Sequence, residues 1–173
     1  MIIQWIGALC VFFSATLVGK LKAKVFIHRH EDLRYLIIAF TWFETALIER
    51  RLPLIKACYE LGERVNERIA SLFIQMAKEL EDGHGKAVAH CWNQALQASS
   101  PSWYFQKMEL LALQTFGETL GGTNRQDQQL QFQLLLEQLM LAEKEAYLDE
   151  QRFAKMYTRL GMLLGISLVI ILM

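Results

Sequence analysis

Charge placement constrains this chain more than any other property. All 18 Lys/Arg and all 18 Asp/Glu lie between Lys20 and Arg159, and the two ends carry no charged side chain. Met1–Gly19 reads MIIQWIGALCVFFSATLVG, and its 18 residues from Ile2 to Gly19 would reach about 27 Å as a helix, close to the ~30 Å core of a bilayer. Ser14 and Thr16 can bond back to their own helix, so lipid tolerates them. A cleaved signal peptide would put basic residues before its apolar run. Here Lys20, Lys22, Lys24 and Arg29 follow it, so 1–19 is expected to be an uncleaved N-terminal transmembrane helix. Leu160–Met173 reads LGMLLGISLVIILM, 14 residues or about 21 Å as a helix. That is short for a span and also suits a buried core helix. Its terminal position favours a C-terminal transmembrane helix over 160–173, with the bilayer thinned around it.

Both inner flanks are basic. Lys20–Arg29 holds four Lys/Arg with no acid before Glu31, and Arg152, Lys155 and Arg159 follow Glu150 without another acid. Basic flanks stay in the cytoplasm. The expected layout is a two-pass hairpin with both termini outside. It has a basic connector at 20–30 and a cytoplasmic helical bundle at 31–159. The formal net charge of zero argues against a nucleic-acid partner, which usually calls for a basic balance. Cys10, Cys58 and Cys91 show no framework spacing and read as free thiols.

The middle of the chain has two prolines and no alternating strand pattern, so the expected fold is all-α, about six helices between the terminal spans. Leu33, Leu36, Ile37, Phe40, Phe43 and Leu47 place a first helix at about Glu31–Arg50. Pro53 opens a short helix that ends near Leu61, with Gly62 as its cap. Val65, Ile69, Leu72, Phe73, Met76 and Leu80 mark a third, about Glu63–Asp82, stopped by Gly83 and Gly85. A fourth covers about Lys86–Ala98. Ser102 offers an N-cap for a fifth over Trp103–Leu120, ended by Gly121-Gly122. Asn124 caps the last, which is expected to run unbroken from Arg125 into the membrane. Its packing face is read from the heptad leucines Leu134, Leu141 and Leu148, flanked by Leu135, Leu139, Ala142 and Ala146. Gln126–Gln138 supplies a solvated face.

Reactive residues are sparse. His28, His30, His84, His90 and Cys91 lack a zinc ligand set at recognisable spacing, and no metal, cofactor or catalytic site is expected. Glu44 stands in the apolar run FTWFETALIE and reads as a hydrogen-bonded or half-exposed acid, with a pKa-raised acid or cation ligand as the functional alternative. No GxSxG, Walker A or GxGxxG pattern occurs. Trp42, Trp92 and Trp103 suit core or groove positions. Ala15-Thr-Leu-Val-Gly19 and Gly161-Met-Leu-Leu-Gly165 are small-xxx-small patterns at the same depth in the hairpin, where two helices can cross closely.

Two stretches carry a family resemblance. LLALQTFGETLGGTNRQDQQLQFQLLLEQL (Leu110–Leu139) and FETALIERRLPLIKAC (Phe43–Cys58), with the apolar ends and the lysine-rich exit from the first block, resemble the stage III sporulation protein AB family of endospore-forming bacteria. The resemblance covers nearly the whole chain. It implies a bundle similar to the F-type platform proteins of type II secretion and type IV pilus systems. It also implies a place in the mother-cell-derived outer forespore membrane, beside a secretion-type ATPase and other proteins of the same sporulation operon. The expected role is a non-enzymatic platform or adaptor of the channel joining mother cell and forespore, with a second copy of itself as a further partner. Its docking surfaces would be Gln126–Gln138 or the basic loop Arg50–Pro53. The alternatives are a small membrane-bound metal-dependent hydrolase using Glu44, His84, His90 and Cys91, or a helical signalling protein.

Overall fold

The computed structural model describes residues 2–82, 85, 87–121 and 124–172, giving the backbone alone for 2–12, 15, 125, 168, 171 and 172. Every regular element among the described residues is helical. Helix α1 covers Ile2–Glu44 and is followed by a π-turn at Thr45–Glu49. Then come α2 (Leu54–Gly62), α3 (Glu67–Asp82), α4 (Val88–Ser99) and α5 (Lys107–Thr119). Helix α6 (Arg125–Asp149) passes through a second π-turn, Glu150–Ala154, into α7 (Lys155–Leu172). Contacts divide the chain into two units. A terminal unit holds 1–30 and 144–173, and a bundle unit holds 31–143, whereas charge alone suggests a bundle extending to 159.

The bundle unit is a six-helix core built on aromatic rings. Phe40 is completely buried and meets Phe43, Phe73, Trp92 and Phe116 edge-on at centroid distances of 5.2 to 6.2 Å. Such edge-to-face pairs each add about 0.5–1.5 kcal/mol beyond the area they bury. Trp92 Nε1 donates to the Leu113 carbonyl at 2.8 Å, so the buried indole leaves no unsatisfied donor. The ring also needs Gly117. A Cβ there would stand 1.8 Å from Trp92 Cδ1.

Several elements differ from the sequence expectation, each for a visible reason. The connector at 20–30 is helical and continuous with the first core helix, since nothing in Lys20–His30 breaks a helix. Helix α3 starts at Glu67 rather than Glu63 because the Asn66 side chain caps it, accepting the Ile69 N–H at 3.0 Å. The fifth helix begins at Lys107, not Trp103. Gln106 and Glu109 form a reciprocal capping box there. Ser102 turns back instead, its hydroxyl donating to the Ser99 carbonyl at 2.7 Å, and Trp103 Nε1 binds the Arg68 carbonyl at 2.8 Å, holding the segment off the helix. Gly62 is a packing residue rather than a cap, because a Cβ would come within 2.6 Å of Ile74 Cγ1. The heptad leucines of α6 do not form its packing face. Leu134, Leu141 and Leu148 are exposed, while Phe132, Leu135, Leu139 and Ala146 are buried.

In the terminal unit the close contacts are made by small residues. A Cβ on Gly19 would lie 2.8 Å from the Tyr157 carbonyl and 3.0 Å from Gly161 Cα. The expected approach of the two small-xxx-small patterns is therefore present at Gly19 and Gly161. Gly165, Ala23 and Ala154 are buried too. Phe26 stacks on Tyr157 at 5.8 Å and tilts against Phe153 at 5.4 Å. Among the described residues, no helix is long and apolar enough to cross a membrane, so the expected spans at 1–19 and 160–173 gain no support there. The side chains of 2–12, 15, 168, 171 and 172, together with Met1 and Met173, lie outside the described residues.

Candidate functional site

Among the described residues, Glu44, His90 and Cys91 of the hydrolase alternative do not form a group that could hold a metal ion. Cys91 is buried and its thiol donates to the Glu79 carbonyl at 3.4 Å. His90, next to it on α4, is exposed. His84 lies outside the described residues. Among those described, no group of three His, Cys, Asp or Glu side chains is placed to hold a metal ion. Cys58 is fully buried, its thiol 3.7 Å from Met76 Sδ, and burial pushes its pKa up to about 12. It is a packing residue with negligible thiolate at neutral pH.

Besides Glu109 in the α5 capping box, buried charge lies at two places that periodicity alone gave no reason to single out. In the terminal unit, Arg29 is buried, with Nη1 3.2 Å from Asp149 Oδ2 and Nη2 3.7 Å from Glu145 Oε2. His30 Nδ1 is 2.6 Å from Glu150 Oε2, and its ring meets Tyr147 edge-on. The His28-Arg29-His30 stretch, read as a connector, therefore supplies the polar clasp of this unit. In the bundle unit, Asp32 has no exposed surface and takes Arg68 Nη2 at 3.0 Å. Arg68 also accepts from Trp103 through its carbonyl, so one residue ties α1, α3 and the approach to α5 together.

The third irregular place is the corner after α1. Glu44 is half-buried at its edge, and its pKa is raised, first by burial and then by the neighbouring Glu49 carboxylate. The helix widens into the π-turn, with the Arg50 N–H bonded to the Thr45 carbonyl at 3.0 Å. Arg51 then takes a φ of +53°, the left-handed region that L residues other than Asn and Asp seldom enter. Its neighbour Leu52 closes the turn, donating to the Ala46 carbonyl at 2.9 Å. Trp42 is half-exposed beneath this corner and does not join the aromatic core as Trp92 does. The Arg50 and Arg64 guanidiniums lie 5.9 and 5.1 Å from its ring centroid.

Helix α6 presents a further surface. Gln129, Gln133 and Gln138 are exposed, as the sequence suggests, and so are the heptad leucines beside them. A shallow groove of about 400 Å³ runs between α5 and α6, lined by Met108, Leu111, Thr115, Gln138 and Leu141. The groove lining offers apolar area and amide hydrogen-bonding groups, with Glu109 among it.

Comparison with known proteins agrees with the resemblance in the sequence. A family model described as Stage III sporulation protein AB matches residues 4–173. The chain is similar to the Stage III sporulation protein AB of Bacillus subtilis (strain 168), 28% identical over 171 residues that cover 99% of both chains. Among solved structures it is similar to Stage III sporulation protein AB (SpoIIIAB), with a TM-score of 0.69 and 26% identity, covering 72% of this chain and 98% of that one.

Proposed function

This chain belongs to the stage III sporulation protein AB family, and from that premise we propose that it is a non-enzymatic membrane platform or adaptor. It would serve a secretion-like channel between mother cell and forespore. The bundle unit would face the mother-cell cytoplasm and dock a secretion-type ATPase and other channel subunits. The terminal helices would hold it in the mother-cell-derived outer forespore membrane.

One observation carries the membrane part. In the terminal unit the small residues Gly19, Ala23, Gly161 and Gly165 are buried, while Phe13, Leu17, Val18, Leu163, Leu164 and Ile170 are each more than half exposed. In water, a helix pair buries its large apolar side chains and leaves small or polar ones outside. The reverse order suits lipid, where apolar surface costs nothing to expose and close backbone approach supplies the attraction. The basic residues Lys20–Lys24 and Arg152–Arg159 beside these stretches fit the cytoplasmic side. The adaptor part is supported by the exposed faces of α5 and α6, which offer contact area without reactive groups.

Fractionation and co-purification test this reading together. Full-length tagged protein from sporulating cells is expected in the alkaline-washed membrane fraction. Detergent extracts should retain a secretion-type ATPase. Full-length material in the soluble lysate, or repeated absence of any channel protein from the eluate, would refute it.

A further inference from the structure

The corner between α1 and α2 breaks three local rules within a few residues. A π-turn widens the helix end at Thr45–Glu49, a feature frequent at functional sites. The position after the helix end, where glycine normally supplies the left-handed conformation, is held by Arg51 at φ +53°. A non-glycine residue there is strained, because its Cβ crowds the backbone. The closing bond, Leu52 N–H to Ala46 carbonyl, spans one residue more than the usual cap, so the π-turn and the strained residue form one built feature. Glycine at 51 would relieve the strain, so what arginine adds must lie in its side chain, and that side chain is exposed.

Its neighbours share its chemistry. Arg50 and Arg64 are exposed, and both guanidiniums lie over the half-exposed indole of Trp42. A ring that holds two guanidiniums positions their donor forks before any ligand arrives, which lowers the ordering cost of binding. Glu44 shares this corner, its pKa raised by burial and by Glu49. We propose that Arg50, Arg51 and Arg64, arranged around Trp42, form a docking site for an acidic segment of a partner protein, whose carboxylates the guanidiniums grip bidentately. The inference rests on the adaptor reading above and names the chemistry of one partner contact.

A protein segment fits this corner better than an anionic membrane. Glu49 and Glu63 are exposed beside the three arginines, and Glu44 is half-buried at the same corner, so three guanidiniums share it with three carboxylates. Membrane surfaces attract clusters of several uncompensated Lys/Arg. A corner of alternating sign instead selects a ligand whose carboxylates meet the guanidiniums point by point and avoid the acids.

The test uses the full-length chain in dodecyl maltoside at low salt, with a fluorescein-labelled hexaglutamate peptide read by anisotropy and hexalysine as the control. Hexaglutamate should bind and hexalysine should not. The Arg50→Gln/Arg64→Gln double variant should weaken hexaglutamate at least 10-fold with an unchanged helical spectrum. The charge-conserving Arg50→Lys/Arg64→Lys variant should weaken it about 3-fold or more, because an ammonium cannot reproduce the fork. Equal binding by wild type and either variant overturns the proposal. So does loss of peptide binding when phosphatidylglycerol is added to the micelles, since that would make the corner a lipid site. Retention of the ATPase by a chain that ignores hexaglutamate would sink this site and leave the adaptor reading standing. Peptide binding without any channel partner would do the reverse.

Discussion

The two units of this chain use opposite packing. In the bundle unit large side chains make the core: Trp92, Phe40, Phe43, Phe73 and Phe132 have almost no exposed surface. In the terminal unit the smallest residues meet, Gly19 against Gly161, and the large aliphatic ones point outward. The first arrangement draws its stability from removing apolar area from water. The second gains little that way and relies on close contact plus the Arg29 and His30 clasp. One continuous helix, α1, contributes to both units. Helical propensity is thus common to the two units, and what differs is which side chains each buries.

The strongest test of this contrast is Phe40→Ala, which removes the ring at the centre of the aromatic cluster. It should cost the bundle unit about 4 kcal/mol by urea denaturation, whereas Leu163→Ala in the terminal unit, being exposed, should stay within about 0.5 kcal/mol. A comparable loss at both sites would erase the distinction. Next in size is Gly117→Ala, whose Cβ collides with buried Trp92. The expected loss is about 3 kcal/mol, and a red shift of tryptophan emission should accompany it. Arg29→Gln leaves Asp149 and Glu145 without their buried cation. Because both acids are partly solvated, the cost is expected near 2 kcal/mol, below that of breaking a fully buried pair. Thermal melts in detergent would measure it, and no change in melting temperature would show that the clasp is not what secures this unit.

The smallest effect concerns pH. The Glu44 pKa is raised in the folded chain, so as pH climbs the unfolded chain releases this proton first. The folded state binds more protons across that interval, and stability falls as pH rises from the unfolded to the folded pKa. Glu44→Gln should flatten this slope, seen as a smaller difference between urea midpoints at about pH 4 and pH 7. A steeper slope would contradict the raised pKa.

The helical class, the helix breaks near Pro53, Gly85, Pro101 and Gly121, and most of the core were legible in the sequence, because a 3.6-residue period and the backbone limits of Gly and Pro act locally. The approach of Gly19 to Gly161 was legible as well, since each small-xxx-small pattern lies beside the boundary between an uncharged end and the charged middle. Other features were hidden. Seven-residue spacing in α6 pointed to Leu134, Leu141 and Leu148 as core, but the neighbouring Phe132, Leu135 and Leu139 were equally periodic, and only the packed bundle chose between the two faces. The residues around Trp103 suit a helix start, and the bond from its indole to the Arg68 carbonyl, distant in sequence, is what holds them out of the helix.

Sequence alone determined that this chain is helical, that its ends carry no charged side chain and that its middle carries every Lys, Arg, Asp and Glu, because these depend on residue identity and short-range geometry. Tertiary structure decided which face of each helix is buried, that Asp32 and Arg29 carry their charge inside, and that Arg50 and Arg64 converge on Trp42. Those outcomes depend on contacts between residues far apart in the chain, and no local pattern encodes which distant partner a side chain will meet.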